Sequence, residues 1–448
     1  MPLALLLVSL SLLQGCIAPA VSDVIANLTP PFLDTDISLA SSNSTSDTCK
    51  DIDNCRTIVG IVTSCIATIF ACVWVAVRPN IPGPNQSWIS RQTESAKVVV
   101  VTLLVPEWVL AWAVRQFLQA RVYTKELEAA RVEAAEEATV QHHRNSTQKG
   151  STARYSSGDR EGDQTHEIRL EEQSTSQDNL GKTMFPLENT DVLALVKSRA
   201  LVPPTSDEIR DRCKGDSLSK TIAIFQALWF VTQCIARRVD NLVITNLEIM
   251  TLAYTVITVA MYAAWWYKPL NVHCPIRVKG DADGGLPQPF KPGHIIDYVI
   301  GDQDYHIRLS GEKRVPTFWS SCCHWNSDRP LYADIIALMV AMVFGAVHCA
   351  AWSYVFPSLE QQRMWRVCAL AIAAIPLPMA AAFAVFNPFF TGTRRGIFNY
   401  IQNIYMPLGA LLYIIARVLL LVLTITTLRD LPPSAYQTVQ WTTWIPHV

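Results

Sequence analysis

Seven stretches of the chain are apolar over about the 20 residues that a helix needs to cross a bilayer. Polar segments separate them, and the fourth ends in aromatic and basic residues at Trp265 and Lys268, which is typical of a membrane interface. The pattern predicts an all-α integral membrane protein with about seven transmembrane helices and a long, partly disordered hydrophilic loop. We place the helices at residues 57–77, 98–119, 219–238, 243–267, 332–354, 364–386 and 402–427.

The second stretch decides the orientation of everything that follows it. Residues 98–119 are apolar but contain Pro106, Glu107 and Arg115, and a charged helical pattern continues to Glu137 without a helix breaker. We expect this helix to cross the membrane completely. In the alternative, it re-enters around Pro106, and every later loop changes sides.

The chain begins with an apolar run and small residues that are typical of a cleaved secretory signal peptide, at 1–20. An extracytosolic segment, 21–55, follows it and carries glycosylation sequons at Asn27 and Asn43. The sequence therefore predicts a glycoprotein of the secretory pathway, in the plasma membrane or an endomembrane. An uncleaved anchor is the alternative to the signal peptide.

Two long polar regions interrupt the apolar stretches. Region 120–218 begins as a charged helix, becomes a Ser-rich segment from Gln141 to Lys182 that includes a sequon at Asn145, and ends in a small membrane-associated part. The Ser-rich segment has too few apolar residues to offset the entropy of ordering, so we expect it to be disordered. In chain order we predict a signal peptide (1–20), an extracytosolic segment (21–55), transmembrane helices 1–2 (56–119), the first polar region (120–218), transmembrane helices 3–4 (219–267), a hydrophilic loop (268–331), transmembrane helices 5–7 (332–427) and a C-terminal tail (428–448).

A cleaved signal peptide and seven crossings place the N-terminus outside the cytosol and the tail inside it. Regions 120–218 and 268–331 then face the lumen or the exterior. Basic residues in the short connections favour this orientation. Arg121, Lys125 and Arg131 argue against it, because they cluster where the second helix would leave the membrane on the outside.

Composition supports a membrane protein and excludes little else. Half of the residues are hydrophobic and 17% are charged, against about a quarter in soluble domains. The net charge of −1 and the even mixture of acidic and basic residues give no indication of nucleic-acid binding. The lipid bilayer is the partner that the sequence predicts, beside an unknown ligand or protein.

Ionisable residues at membrane depth are the candidate functional residues, because a charge at a helix centre costs about 2.5–3.5 kcal/mol on insertion scales. Glu107 and Arg417 lie at matching depths of about 14 and 15 Å from the same end of their helices, which predicts that they meet. Glu248 and His348 lie at about 8 and 9 Å and form a second candidate pair. For each pair three alternatives stay open: a structural lock, a ligand or ion site, and no contact.

Cysteines suggest disulfide bonds rather than metal binding. Cys49 and Cys55 are spaced for a small disulfide loop in an oxidising lumen, with two free thiols as the alternative. In the second loop we expect Cys274 to pair with Cys322 or Cys323. Zinc is the weaker alternative because the spacing matches no standard pattern, although the loop also holds His273, His294, His306 and His324. We predict no metal and no cofactor.

Enzyme signatures are missing from the sequence. It contains no nucleophile elbow, zincin motif, Walker loop or dinucleotide-binding fingerprint. We therefore expect a protein that is not an enzyme.

Several short motifs next to the predicted helices carry a family resemblance. They are Cys55-Arg56-Thr57-Ile58, Pro79-Asn80-Ile81-Pro82-Gly83-Pro84, Ile244-Thr245-Asn246-Leu247-Glu248, Tyr267-Lys268-Pro269-Leu270-Asn271-Val272 and Val347-His348-Cys349-Ala350-Ala351-Trp352 with the following Phe356-Pro357-Ser358 and Glu360. In these the chain resembles a group of uncharacterised multi-pass membrane proteins of fungi, over everything from Cys55 to the last helix. The resemblance implies an architecture and no activity.

Three functions are compatible with this sequence. A sensor or receptor-like protein is the leading hypothesis, from the outside N-terminus, the seven helices and a cytosolic tail. A transporter of a small solute or ion is the second, from the charged residues at membrane depth. A scaffold that binds partners through its disordered loop is the third.

Overall fold

The computed structural model describes residues 55–84, 86–152, 185–201, 203–212, 216–270, 272, 275–278, 307–320, 329–354, 356–389 and 394–441. Predictions that lie outside the described residues are the signal peptide, the sequons at Asn27 and Asn43, the pairings of Cys49, Cys274 and Cys322, and the candidate zinc ligands of the second loop.

Eleven α-helices occupy the described residues, which contain no strand. In chain order they are α1 Ile58–Ala76, α2 Trp88–Leu104, α3 Pro106–Thr152, α4 Asn189–Lys197, α5 Ser206–Asp211, α6 Asp216–Val239, α7 Asn246–Ala264, α8 Arg329–Cys349, α9 Leu359–Ala374, α10 Pro376–Phe389 and α11 Arg394–Thr426. Short 3₁₀ turns cover Leu309–Gly311, Thr427–Asp430 and Pro433–Ala435.

Six helical segments in the described residues are long and apolar enough to cross a membrane, which confirms the predicted fold class. The fifth of them, Leu359–Ala382, consists of α9 and most of α10. The others are Ile58–Ala76, Leu218–Val239, Asn246–Ala264, Tyr332–Cys349 and Ile404–Asp430. A seventh would exist only if α2 and α3 formed one span, and they are bent by 117° at their junction.

The bend makes α2 and α3 a hairpin whose arms open on the same face of the bundle. Arg314 donates from Nη2 to Glu94 on α2 over 3.1 Å, and Gln116 on α3 donates from Nε2 to the carbonyl of Trp319 over 2.7 Å. The hydroxyl of Thr317 also donates to Glu94. A continuous helix would hold Glu94 and Gln116 about 33 Å apart, whereas Thr317 and Trp319 are two residues apart, about 7 Å at full extension. The predicted single crossing is therefore wrong, and the re-entrant alternative describes the fold.

Local chemistry explains the position of the break. Val105 precedes a proline, and its backbone leaves the helical region at φ −142° and ψ 66°. Pro106 has no N–H group to continue the helix and instead occupies the first position of α3, where none is needed. The hydroxyl of Tyr254 on α7 donates to the carbonyl of Leu103, one of the acceptors that the break leaves without its helical partner.

With one hairpin and six crossings, both ends of the described chain lie on the same face. The backbone N–H of Arg56 donates to the carbonyl of Tyr436 over 2.7 Å. We call this end of the bundle, where Arg56 and Ala435 meet, the terminal face, and the opposite end, with Lys268 and Trp319, the loop face. The prediction that the two chain ends lie on opposite sides is wrong because it counted the hairpin as a crossing.

The charged continuation of α3 is longer than predicted. The helix runs to Thr152, so the disorder expected from Gln141 onward is wrong over 141–152. Adding residues to an existing helix avoids the cost of nucleation, which explains how a polar sequence extends it. Helix α4 packs on this part of α3, and Arg199, just after α4, donates to the carbonyl of Ala134 over 2.5 Å.

The centre of the bundle is α7, which packs against α1, α3 and α8. Its candidate span is 61% buried, more than that of any other span in the described residues. Helices α8 and α9 approach closely at Gly345, where an added Cβ would lie 2.5 Å from the backbone of Ala373. This approach directly precedes the break between α9 and α10 at Ile375, where Pro376 begins the second helix.

Candidate functional site

The tip of the hairpin holds a buried ion pair. Glu107 lies in the first turn of α3, and its Oε1 accepts from Arg417 Nη1 over 3.3 Å and from the hydroxyl of Tyr413 over 2.5 Å. Arg417 is 1% exposed and Glu107 is 4% exposed. Because Arg417 lies midway along the span Ile404–Asp430, the pair sits at the middle of the membrane domain.

Aromatic rings cover the guanidinium group of Arg417. Its Cζ lies 3.9 Å from the ring centroid of Phe344 on α8 and 5.1 Å from that of Tyr254 on α7. Such cation–π contacts stabilise a desolvated cation by about 2 kcal/mol or more.

Three polar atoms of the pair are unsatisfied. Among the described residues, Glu107 Oε2 and Arg417 Nε and Nη2 are buried and have no hydrogen-bond partner. Buried polar atoms are almost always paired, since leaving one unpaired costs about 1–3 kcal/mol. The hairpin tip therefore has capacity for one further acceptor group and one further donor.

The predicted pair of Glu248 and His348 is wrong. Glu248 bonds to Arg56, with its Oε1 2.5 Å from Arg56 Nη1, and it caps the start of α7 by accepting from the N–H of Thr245 over 2.7 Å. His348 instead contacts Met250 Sδ, 3.3 Å from its Nε2. Positions 248 and 250 point about 200° apart around a helix, so equal depth did not bring the two side chains together.

A second polar cluster closes the terminal face. Arg237 of α6 is 2% exposed and donates to the carbonyls of Val243 and Gln437, over 2.6 and 2.7 Å. Arg56 donates from Nε to the carbonyl of Ala435 over 2.7 Å. These contacts fix residues 433–437, which we call the C-terminal strap, against the ends of α1, α6 and α7.

A partly buried lysine organises the loop face. Lys268 Nζ donates to the carbonyl of Arg78 over 2.6 Å and to Gln116 Oε1 over 2.8 Å, and it lies over the rings of Trp112 and Trp265. Burial lowers the pKa of the Lys268 ammonium group well below its usual value, and the nearby positive charge of Arg78 acts in the same direction. The surrounding acceptors and rings offset this cost.

Arg115 is buried in a second ion pair and does not extend to the membrane surface. It is 5% exposed, and its Nη2 lies 2.8 Å from Asp334 Oδ1 on α8 and 2.9 Å from Oδ2. The pair joins the outward arm of the hairpin to α8 close to the loop face.

One of the six described cysteines takes part in a disulfide bond. Cys55 is disulfide-bonded, whereas the other described cysteines are free, so its partner lies outside the described residues. Pairing of Cys55 with Cys49, and of Cys274 with Cys322, stays a prediction. The described part of the chain holds no group of three metal-ligating side chains. Helix α3 includes Asn145, but its glycosylation also stays a prediction.

Sequence reasoning identified Glu107 and Arg417 and missed their surroundings. Tyr254, Phe344 and Tyr413 are ordinary aromatic residues of apolar helices, and no sequence signal distinguishes them from other core residues. Arg56 lies within a motif that the family resemblance singled out, at the boundary of the first helix, although no role was predicted for it.

The all-helical fold, its six candidate spans and its buried ion pairs define a multi-pass integral membrane protein. The chain belongs to DUF8562, a family of unknown function whose model matches residues 28–287 and 318–448. This confirms the expected membership of an uncharacterised family, while a fungal origin stays a prediction. Neither the curated proteins nor the solved structures contain a match to the chain.

Proposed function

We propose that this protein transports a small hydrophilic solute through a site at the tip of the α2–α3 hairpin. The observation that carries the proposal is the helix break at Val105, which sets Glu107 against Arg417 in the middle of the membrane domain. Interrupted helices at membrane depth are tolerated where they are buried in protein or line a polar cavity, and transporters use them to bind substrates.

The sensor hypothesis loses its main argument, because it relied on chain ends on opposite sides of the membrane. A sensor would need a pocket that opens to one side only, whereas a transporter exposes its site to each side in turn. The scaffold hypothesis relied on the disordered loop 141–182, of which residues 153–182 lie outside the described residues.

Orientation in the membrane follows from the hairpin. Arg121, Lys125 and Arg131 leave the membrane on the loop face, and short basic segments next to membrane helices prefer the cytosol. The disulfide bond of Cys55, next to the terminal face, suits an oxidising compartment. We therefore assign the loop face to the cytosol, the terminal face to the lumen or exterior, and the protein to the secretory pathway.

Substituted-cysteine labelling tests the transport proposal. Phe344→Cys places a thiol against Arg417. Ala341→Cys places a thiol one turn away on α8 and keeps the Phe344 ring. A charged, membrane-impermeant methanethiosulfonate is applied to sealed vesicles of each orientation. Cys65 is a native free thiol that is buried in α1, and its labelling in the same samples serves as the internal control.

We expect the introduced thiols to be modified from both faces, above the labelling of the unsubstituted protein. Modification from one face only would overturn transport and favour a sensor. Absence of modification from either face at both positions would also overturn the proposal and leave a structural ion pair.

A further inference from the structure

The unsatisfied atoms at the hairpin tip describe the ligand that would complete the site. Arg417 commits Nη1 to Glu107, while Nε and Nη2 have no partner among the described residues. The N–H bonds of Nε and Nη2 run nearly parallel along one edge of the guanidinium group. A carboxylate matches this edge, because its two oxygens accept both hydrogen bonds at once.

Glu107 sets the second requirement. Its Oε1 is occupied by Arg417 and Tyr413, and its Oε2 is buried without a partner among the described residues. A charged donor such as an ammonium group would satisfy that oxygen best. The ligand therefore needs a carboxylate at one end and an ammonium group close to it.

The net charge of the site argues against a ligand that carries only a positive or only a negative charge. The charges of Glu107 and Arg417 cancel, so an anion or a cation alone would bring an uncompensated charge into a buried site, at a high desolvation cost. An acetate ion would also leave Glu107 Oε2 unsatisfied. A neutral amide would supply one acceptor oxygen for the two donors of the arginine edge.

We infer that the hairpin-tip site binds an amino-acid zwitterion, with its carboxylate on the Nε–Nη2 edge of Arg417 and its ammonium group on Glu107 Oε2. This inference rests on the proposed function and names the class of its solute. Phe344 and Tyr254 lie against the guanidinium group of Arg417, so we expect the ligand to have a small side chain.

The test measures binding to the full-length protein, purified in detergent, with L-alanine as the probe. Titration calorimetry and thermal unfolding are run at constant ionic strength with L-alanine, sodium acetate, methylammonium chloride and acetamide. We expect L-alanine to bind and to raise the unfolding temperature by several degrees, and the other three to have no comparable effect. Equal stabilisation by acetate or acetamide would overturn the inference.

Two substitutions separate recognition from folding. Arg417→Lys keeps the charge but removes the two-donor edge, so the affinity for L-alanine should fall at least tenfold. Glu107→Gln should weaken L-alanine binding by a similar factor and shift the preference toward acetate, because the site then carries a net positive charge. A purely structural pair would not change ligand preference.

Arg115→Lys is the matched control, since it alters a different buried, bidentate arginine pair near the loop face. Its affinity for L-alanine should equal that of the unsubstituted protein, and an equal loss would overturn the assignment to Arg417. If thiols are labelled from both faces but L-alanine does not bind, transport stands and this inference fails. If L-alanine binds but labelling occurs from one face only, the site assignment stands and transport fails.

Discussion

Glu107 and Arg417, 310 positions apart in the chain, meet at 3.3 Å beneath the rings of Phe344 and Tyr254. The contact joins the tip of a re-entrant hairpin to the last membrane helix. Charge, burial and backbone interruption therefore coincide at one point, in the middle of the membrane domain.

Removing one charge of this pair should cost more stability than removing both. Glu107→Gln leaves the buried guanidinium group uncompensated, and we expect a loss of about 3 kcal/mol. The double variant Glu107→Gln with Arg417→Gln should recover at least about 1 kcal/mol of the summed losses. Reversible unfolding in detergent measures the cycle, and strictly additive losses would contradict a direct pair.

The close approach of α8 and α9 makes Gly345 intolerant of any side chain. Gly345→Ala would place a Cβ 2.5 Å from the backbone of Ala373. To relieve this clash the two helix backbones would have to move apart, which costs more than moving a flexible side chain. We expect a loss of about 2–3 kcal/mol by overpacking. The matched control is Gly409→Ala, whose Cβ would meet the flexible Met379 Sδ at 3.2 Å. Similar losses for both glycines would show that helix contact is not the cause.

Arg237 should hold the C-terminal strap in place. Arg237→Gln removes donors to the carbonyls of Val243 and Gln437, so hydrogen exchange in residues 433–437 should become at least tenfold faster. Arg238→Gln changes the neighbouring exposed arginine and should leave the exchange unaltered. Protection that persists in Arg237→Gln would show that the strap is held by other contacts.

Lys268 should stabilise the loop face although its burial is costly. Lys268→Met removes the lysine donor to the carbonyl of Arg78 and one of the two donors to Gln116 Oε1, the other being Trp265 Nε1, and we expect a loss of about 2 kcal/mol. Lys220→Met removes a more exposed lysine that lies over Trp266, and its loss should be below about 1 kcal/mol. Thermal unfolding of both variants in detergent provides the comparison, and a neutral Lys268→Met would contradict the stabilising role.

Glycosylation mapping tests the orientation. With the loop face in the cytosol, the sequon at Asn43 should be modified, whereas those at Asn85 and Asn145 should not, since a cytosolic sequon never meets the lumenal transferase. The mass shift after glycosidase treatment of single Asn→Gln variants gives the answer. Modification at Asn145 would reverse the assignment of the two faces.

Sequence determined the positions of the membrane helices well, because a bilayer requires long apolar segments and the pattern records them directly. It also singled out Glu107 and Arg417, since a charge within such a segment is costly and therefore conspicuous. The depth argument placed this pair together, yet the same argument failed for Glu248 and His348. Depth is one coordinate, and the direction of a side chain around its helix is another that a single sequence does not give.

The second apolar stretch shows most clearly what the sequence determined and what it did not. Pro106 and the charges around it marked an irregularity, and both a complete crossing and a re-entrant hairpin were compatible with them. Only the tertiary structure decided between the two, through Glu94 and Gln116, which reach the same loop segment from opposite arms of the bend. The hydrophobic pattern records which residues avoid water, whereas the direction in which a broken helix leaves its break depends on contacts with distant parts of the chain.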